Sequence, residues 1–109
     1  MGLSTHILDL VTGQPAEGVR LALFFNGAQV HTDITNRDGR CTLMDQSPLS
    51  AGRYRVVFGA GEYLKRTQSD AGTPFFDDIQ VDFVITDTQR HYHVPLLLSP
   101  FGYSTYRGS

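Results

Sequence analysis

With 109 residues, 40% of them hydrophobic and 18% charged, the chain is the size of one ordinary domain, residues 1–109, large enough to bury a core unaided. Its net charge is −2, and its eight arginines and one lysine are scattered, which leaves no basic stripe for a nucleic-acid partner. The single cysteine, Cys41, excludes an intrachain disulfide and a multi-thiolate metal site; it reads as a small buried hydrophobe in a strand and fits a reducing compartment.

No continuous apolar run exceeds Val94 to Leu98, far short of a membrane span, so no membrane partner is expected. The opening M-G-L-S-T-H-I-L-D has neither a basic segment nor a long apolar one. No signal peptide is expected, and the cytoplasm is the expected location, although a trimmed mature form would read the same way.

Leu3 to Leu10 predicts a first strand, with Leu3, Thr5 and Ile7 on one face and Ser4, His6 and Leu8 on the other. Val11 to Gly18 is a turn-rich connection. Val19 to Phe25 predicts a second strand, and Asn26-Gly27 a tight hairpin turn into Gln29 to Thr35. Asn36-Arg37-Asp38-Gly39 is another turn, which releases the short strand Arg40 to Met44.

Asp45 to Gly52 is a loop. Arg53 to Phe58 alternates, with Tyr54, Val56 and Phe58 set against Arg53, Arg55 and Val57. Ala60 to Gln68 is the one predicted helix, and Tyr63, Leu64 and Thr67 share a face of it. After a loop over Ser69 to Pro74, Phe76 to Ile85 predicts a strand with Ile79, Val81, Phe83 and Ile85 alternating.

The last strand starts near Arg90. Tyr92, Val94, Leu96 and Leu98 make a core face, while His91, His93, Pro95 and Leu97 share the opposite one. Pro95 cannot donate a ladder hydrogen bond, so it should face an edge or a disrupted partner. The chain then turns at Ser99-Pro-Phe-Gly102 and ends on Y-S-T-Y-R-G-S, a tail unusually rich in anchoring groups. Seven or eight short strands joined by Gly, Pro and Asn turns, with one short helix, predict an all-β two-sheet sandwich.

His6, His91 and His93 each lie opposite an apolar face, and Arg40 follows a tight turn. Histidine exchanges protons near neutral pH, and arginine, always charged, orients planar polar groups or stabilises an oxyanion. His91-x-His93 is too short a pattern to establish zinc, even with His6 as a third ligand. Asp77 and Asp78, read as strand neighbours, point to opposite faces and make no acid–base pair. Gly59-Ala60-Gly61 lacks the third glycine and the context of a dinucleotide site. No cofactor and no metal are expected. On residues alone, the reading ends at a sandwich, expected to oligomerise, with a histidine–arginine face.

L-S-T-H-I-L-D (Leu3 to Asp9), T-N-R-D-G-R (Thr35 to Arg40) and H-Y-H-V-P-L-L-L-S-P-F-G-Y-S-T-Y-R-G-S (His91 to Ser109) resemble 5-hydroxyisourate hydrolase, the transthyretin-related family of urate breakdown. The likeness runs along essentially the whole chain, and the terminal Tyr-Arg-Gly-Ser is its most specific mark. The resemblance implies a transthyretin-like sandwich that forms a homotetramer, a dimer of dimers, with active sites in a central channel. It implies catalytic roles for His6, Arg40, His93 and Ser109, and substrate contacts from His91, Tyr106, Arg107 and Gly108. The implied reaction opens the cyclic amide of 5-hydroxyisourate to give 2-oxo-4-hydroxy-4-carboxy-5-ureidoimidazoline. His93 is assigned as base and His6 as its partner, with the reverse order left open; Arg40 would hold the substrate and the developing oxyanion. The rival expectation is a non-catalytic carrier of transthyretin type, which shares the sandwich but needs neither these histidines nor that ending.

Overall fold

The computed structural model describes residues 2–45, 49–68 and 72–108. Its elements are β1 (Leu3–Asp9), β2 (Gln14–Pro15), β3 (Arg20–Phe25), β4 (Ala28–Ile34), β5 (Arg40–Met44), β6 (Gly52–Phe58), α1 (Ala60–Thr67), β7 (Ile79–Ile85), β8 (Tyr92–Ser99) and β9 (Gly102–Thr105). One sheet runs β2-β1-β8-β9, with β5 beside β2 on the outer edge of β1; the other runs β4-β3-β6-β7. The expected two-sheet sandwich is therefore present, with β2 as a two-residue addition inside the predicted connection.

Alternation builds the core. Leu3, Thr5, Ile7 and Asp9 of β1, Cys41 and Leu43 of β5, and Tyr92, Val94, Leu96 and Leu98 of β8 are buried against Leu21 and Leu23 of β3, Tyr54, Val56 and Phe58 of β6, and Ile79 and Ile85 of β7. Burying each of the larger apolar side chains is worth roughly 1.5–3 kcal/mol relative to exposure. Between β3 and β4, Asn26 (φ 47°) and Gly27 (φ 90°) both take the left-handed conformation that a two-residue hairpin of this twist requires.

One expected boundary moves by three residues. The predicted Phe76 to Ile85 strand starts only at Ile79, so Asp77 and Asp78 are loop residues rather than strand neighbours. Phe76 is occupied elsewhere: its ring packs edge-on against Phe75 and Tyr103, and the Phe75 and Phe76 amides both donate to the Pro100 carbonyl. Those contacts with the β8–β9 turn outcompete extension of β7. Ser47-Pro48 and the start of the Ser69 to Pro74 loop lie outside the described residues.

The helix has only eight residues and no side-chain cap at its N-terminus, too little to persist alone. Tertiary contacts hold it. Ala60, Tyr63 and Leu64 are buried, and a β-carbon on Gly61 would land on the Asp77 carboxylate, which explains the glycine as packing. Asp9, 1% exposed, is the anchor. Its carboxylate accepts from the Tyr63 hydroxyl at 2.7 Å, the Gln68 amide at 2.7 Å and the Val11 backbone at 2.9 Å. Burial and the Asp9 contact push the Tyr63 phenol up to about 12, so it stays a donor. Replacing Asp9 by Ala strands these donors, and we expect a loss of about 2–4 kcal/mol in urea unfolding at fixed protein concentration.

Candidate active site

The site begins with a turn. Asn36 Oδ1 accepts from the amides of Asp38 (2.9 Å) and Arg40 (3.0 Å), and the Asn36 amide donates to the Arg40 carbonyl. Gly39, at φ 70°, tucks beneath β1; a β-carbon there would come within 2.6 Å of the Ile7 carbonyl oxygen. Its own carbonyl accepts from the Ile7 amide at 2.8 Å. The turn thus delivers Arg40 directly opposite His6 in the β1–β5 ladder, and opposite residues of an antiparallel pair share a face.

The second contribution is parallel. β1 and β8 pair in register from Leu3–Tyr92 to Asp9–Leu98, so Ser4 lies beside His93 and His6 beside Pro95. Because Leu3, Thr5 and Ile7 point into the core, Ser4, His6, Arg40 and His93 are gathered on the outer face of this sheet. His91 joins them just before β8: Ser4 Oγ lies 2.9 Å from His93 Nδ1 and 3.1 Å from His91 Nε2. Ser4, two residues from His6 and on the same strand face, joins the residues that the sequence points to.

The tail comes third. The Gly108 amide donates to the His93 carbonyl at 2.8 Å, and a β-carbon on Gly108 would stand 2.6 Å from His93 Cδ2. Only glycine lets the chain pass this close to the imidazole. The ladder between β8 and the tail is open at Pro95, between the Leu96–Thr105 pair and the His93–Gly108 bridge. The Thr105 hydroxyl caps the Pro95 carbonyl instead, at 2.7 Å. Pro95 therefore faces a disrupted partner within the sheet and not an edge. Tyr106 is exposed. Arg107 does not join the cluster: its guanidinium lies 5.0 Å over the ring of the core-facing Tyr92. Ser109 lies outside the described residues.

Partial burial pushes the His93 pKa below its ordinary value of 6.5, followed by repulsion from Arg40, His6 and His91, while a backbone contact with Ser4 pulls the other way. His93 is therefore neutral at pH 7 and presents a lone pair next to a fixed cation. The cluster occupies an open sheet face. A cavity of about 220 Å³ along the β7–tail edge reaches His93, Tyr106 and Arg107 but holds neither His6 nor Arg40. Among the described residues, no group of three His, Cys, Asp or Glu side chains is placed to hold a metal ion.

A two-sheet sandwich carrying a neutral imidazole, a guanidinium and a hydroxyl on the outside of one sheet defines a transthyretin-type scaffold with a polar reactive face. The chain belongs to the HIUase/Transthyretin family, whose model matches residues 3–108. It is 46% identical to the 5-hydroxyisourate hydrolase of Mesorhizobium japonicum, covering 98% of this chain and 91% of that protein. The 5-hydroxyisourate hydrolase of Salmonella dublin is 48% identical, with 98% and 80% covered. Among solved structures, Klebsiella pneumoniae 5-hydroxyisourate hydrolase superposes with a TM-score of 0.86 at 44% identity over all of both chains. Sea bream transthyretin, solved in complex with thyroxine, superposes with a TM-score of 0.87 at 34% identity, with 99% of this chain and 95% of that one covered.

The lowered pKa of His93 has a definite sign in stability. Between the lowered folded value and 6.5 the unfolded chain binds the proton more readily, so this group's contribution is complete above pH 6.5 and is lost as pH falls through the folded value. Replacing Arg40 by Gln removes a repulsive charge. The His93 pKa, followed by the ring-proton shifts in NMR, should then rise towards its ordinary value.

Proposed function

We propose that this protein hydrolyses 5-hydroxyisourate, opening its cyclic amide to 2-oxo-4-hydroxy-4-carboxy-5-ureidoimidazoline. The observation that carries this reading is a neutral His93 held on one sheet face with Arg40 and His6, in a chain close to half identical to proteins named for that activity.

His93 takes a proton from water as the water oxygen attacks the ring carbonyl carbon. The carbonyl electron pair moves onto oxygen, and Arg40 stabilises the resulting oxyanion. As the intermediate collapses, the carbon–nitrogen bond breaks and the departing ureido nitrogen takes a proton from His6. The lowered pKa of His93 suits it to the role of base. His91 and Tyr106 would contact substrate, and Gly108 would contribute its backbone. Ser109 would complete the tail's share of the site, and Arg107 would act by anchoring the tail rather than by touching substrate. No metal enters these steps.

An open face needs a cover, and the tetramer supplies one in this reading. The reactive face of one subunit would close against another to form a channel. β7 and β9 each end a sheet, and a cavity lined by Val84 of β7 and Thr105 of β9 sets those ends on one side of the sandwich, with Val84 and Tyr103 exposed along them; these unpaired edges suit pairing with a second copy. Among the described residues, no helix is long and apolar enough to cross a membrane. The buried free Cys41 suits a reducing cytoplasm.

The scaffold also fits a carrier, because the sea bream protein solved with thyroxine shares it. Urate oxidase can generate 5-hydroxyisourate in the cuvette while its ultraviolet decay is followed. We expect accelerated decay that survives a chelator, and a kcat about 100-fold or more lower in His93→Ala and in Arg40→Ala. If both variants kept more than half of the wild-type turnover, the assignment of roles would be wrong. If the intact protein gave only the spontaneous rate, the carrier would replace the enzyme.

A further inference from the structure

Ser4 places one hydroxyl between two imidazoles, within hydrogen-bond distance of His93 Nδ1 (2.9 Å) and His91 Nε2 (3.1 Å). A hydroxyl has one proton and two lone pairs, and the two imidazoles are the only hydrogen-bond partners of Ser4 Oγ among the described residues, so it donates to one ring nitrogen and accepts from the other. The two histidines therefore cannot choose their tautomers independently. With the His93 proton on Nδ1, that nitrogen donates to Ser4 Oγ, and Ser4 donates to a bare His91 Nε2. His93 Nε2 is then free to take a proton. When His91 carries a proton on Nε2, the bridge runs backwards: His91 donates to Ser4, Ser4 donates to His93 Nδ1, and the remaining His93 proton sits on Nε2.

We propose that Ser4 is a positioning residue that keeps His93 Nε2 free, and that protonation of His91 reverses the bridge and disables His93 as a base. The proposal rests on the hydrolytic reading for the role of His93, but the bridge itself does not. The parallel β1–β8 register sets Ser4 beside His93, so the hydroxyl is fixed by backbone pairing rather than by a mobile loop. The titratable and charged groups facing His93 are His6 from β1, Arg40 from β5 and His91 from the residue just before β8. From the tail, uncharged Gly108 abuts the ring while Arg107 is turned to Tyr92. Arg40 and His6 oppose positive charge on His93, while His91 is the exposed ring of the pair. A solvent-facing histidine thereby reports bulk pH to a sheltered one.

Nitrogen-15 NMR of the imidazole rings tests this without any turnover. Wild-type protein should show His93 protonated at Nδ1 at neutral pH, moving to Nε2 as His91 gains its proton. His91→Gln should abolish that pH-dependent change. Ser4→Ala should uncouple the two rings and lower kcat at least tenfold, roughly what losing an orienting partner of a histidine costs, with KM little changed. Ser4→Thr, which keeps the hydroxyl, should restore both the tautomer and kcat. A wild-type His93 protonated at Nε2 at neutral pH would overturn the proposal. So would a Ser4→Ala protein, folded by its backbone spectrum, with an unchanged His93 tautomer. The expected tautomers in a protein that turns over no 5-hydroxyisourate would uphold the bridge and sink the hydrolytic reading instead.

Discussion

β1 and β8 stand 87 to 89 residues apart at Ser4 and its two histidines, yet they run side by side and parallel through the middle of a sheet whose other pairings are antiparallel. The rest of the molecule depends on this pairing. The Tyr92 amide donates to the Gly2 carbonyl at one end and the Leu10 amide to the Leu98 carbonyl at the other, both at 2.8 Å. Inside the core, the buried Thr5 hydroxyl donates to the Val94 carbonyl at 2.6 Å, which accounts for a threonine among aliphatic neighbours. Slipping this register by one residue would turn Ser4 and His6 inward and bring Thr5 and Ile7 out. Fold and site are thus set by the same ladder.

Much of this was legible because the side-chain period of a strand is two. That alternation placed Leu3, Thr5 and Ile7 inside and His6 outside, and it separated Tyr92 and Val94 from His91 and His93. The Asn26-Gly27 turn carries its own stereochemistry. What alternation does not encode is which strands become neighbours. Nothing local to Leu3–Asp9 says that it will lie parallel to Tyr92–Ser99, so convergence of His6, Arg40 and His93 came from family resemblance and not from spacing. Ser4, on the same face as His6, carries no signal of its own for the same reason, since a serine on an outer face is unremarkable until two imidazoles arrive beside it. Phe76 continued an apolar strand pattern but found better partners in Phe75 and Tyr103. Arg107, implied at the site by its motif, alternates with Gly108 and so falls on the Tyr92 side.

The sandwich alone does not decide the chemistry. A hydrolase and a thyroxine-bound transthyretin both superpose on it with nearly equal TM-scores, so the shared core specifies only a scaffold. The differences that matter lie in what the outer face of one sheet presents and in how the tail crosses it. Gly108 lets the backbone approach His93 as no other residue would, and Pro95 interrupts the ladder so that the tail is held by a side chain at Thr105.

The alternating burial of β1 divides one short segment into two sets of positions that answer to different physical demands. Residues 3, 5, 7 and 9 are buried in the core, and Asp9 moors the helix; changes there are judged by whether the chain folds. Residues 4 and 6 face outward towards Arg40 and His93; changes there leave the core untouched and are judged by what the surface can bind or convert. Substitution at every second position of this strand can therefore alter what the surface presents while the buried positions go on holding the sandwich together.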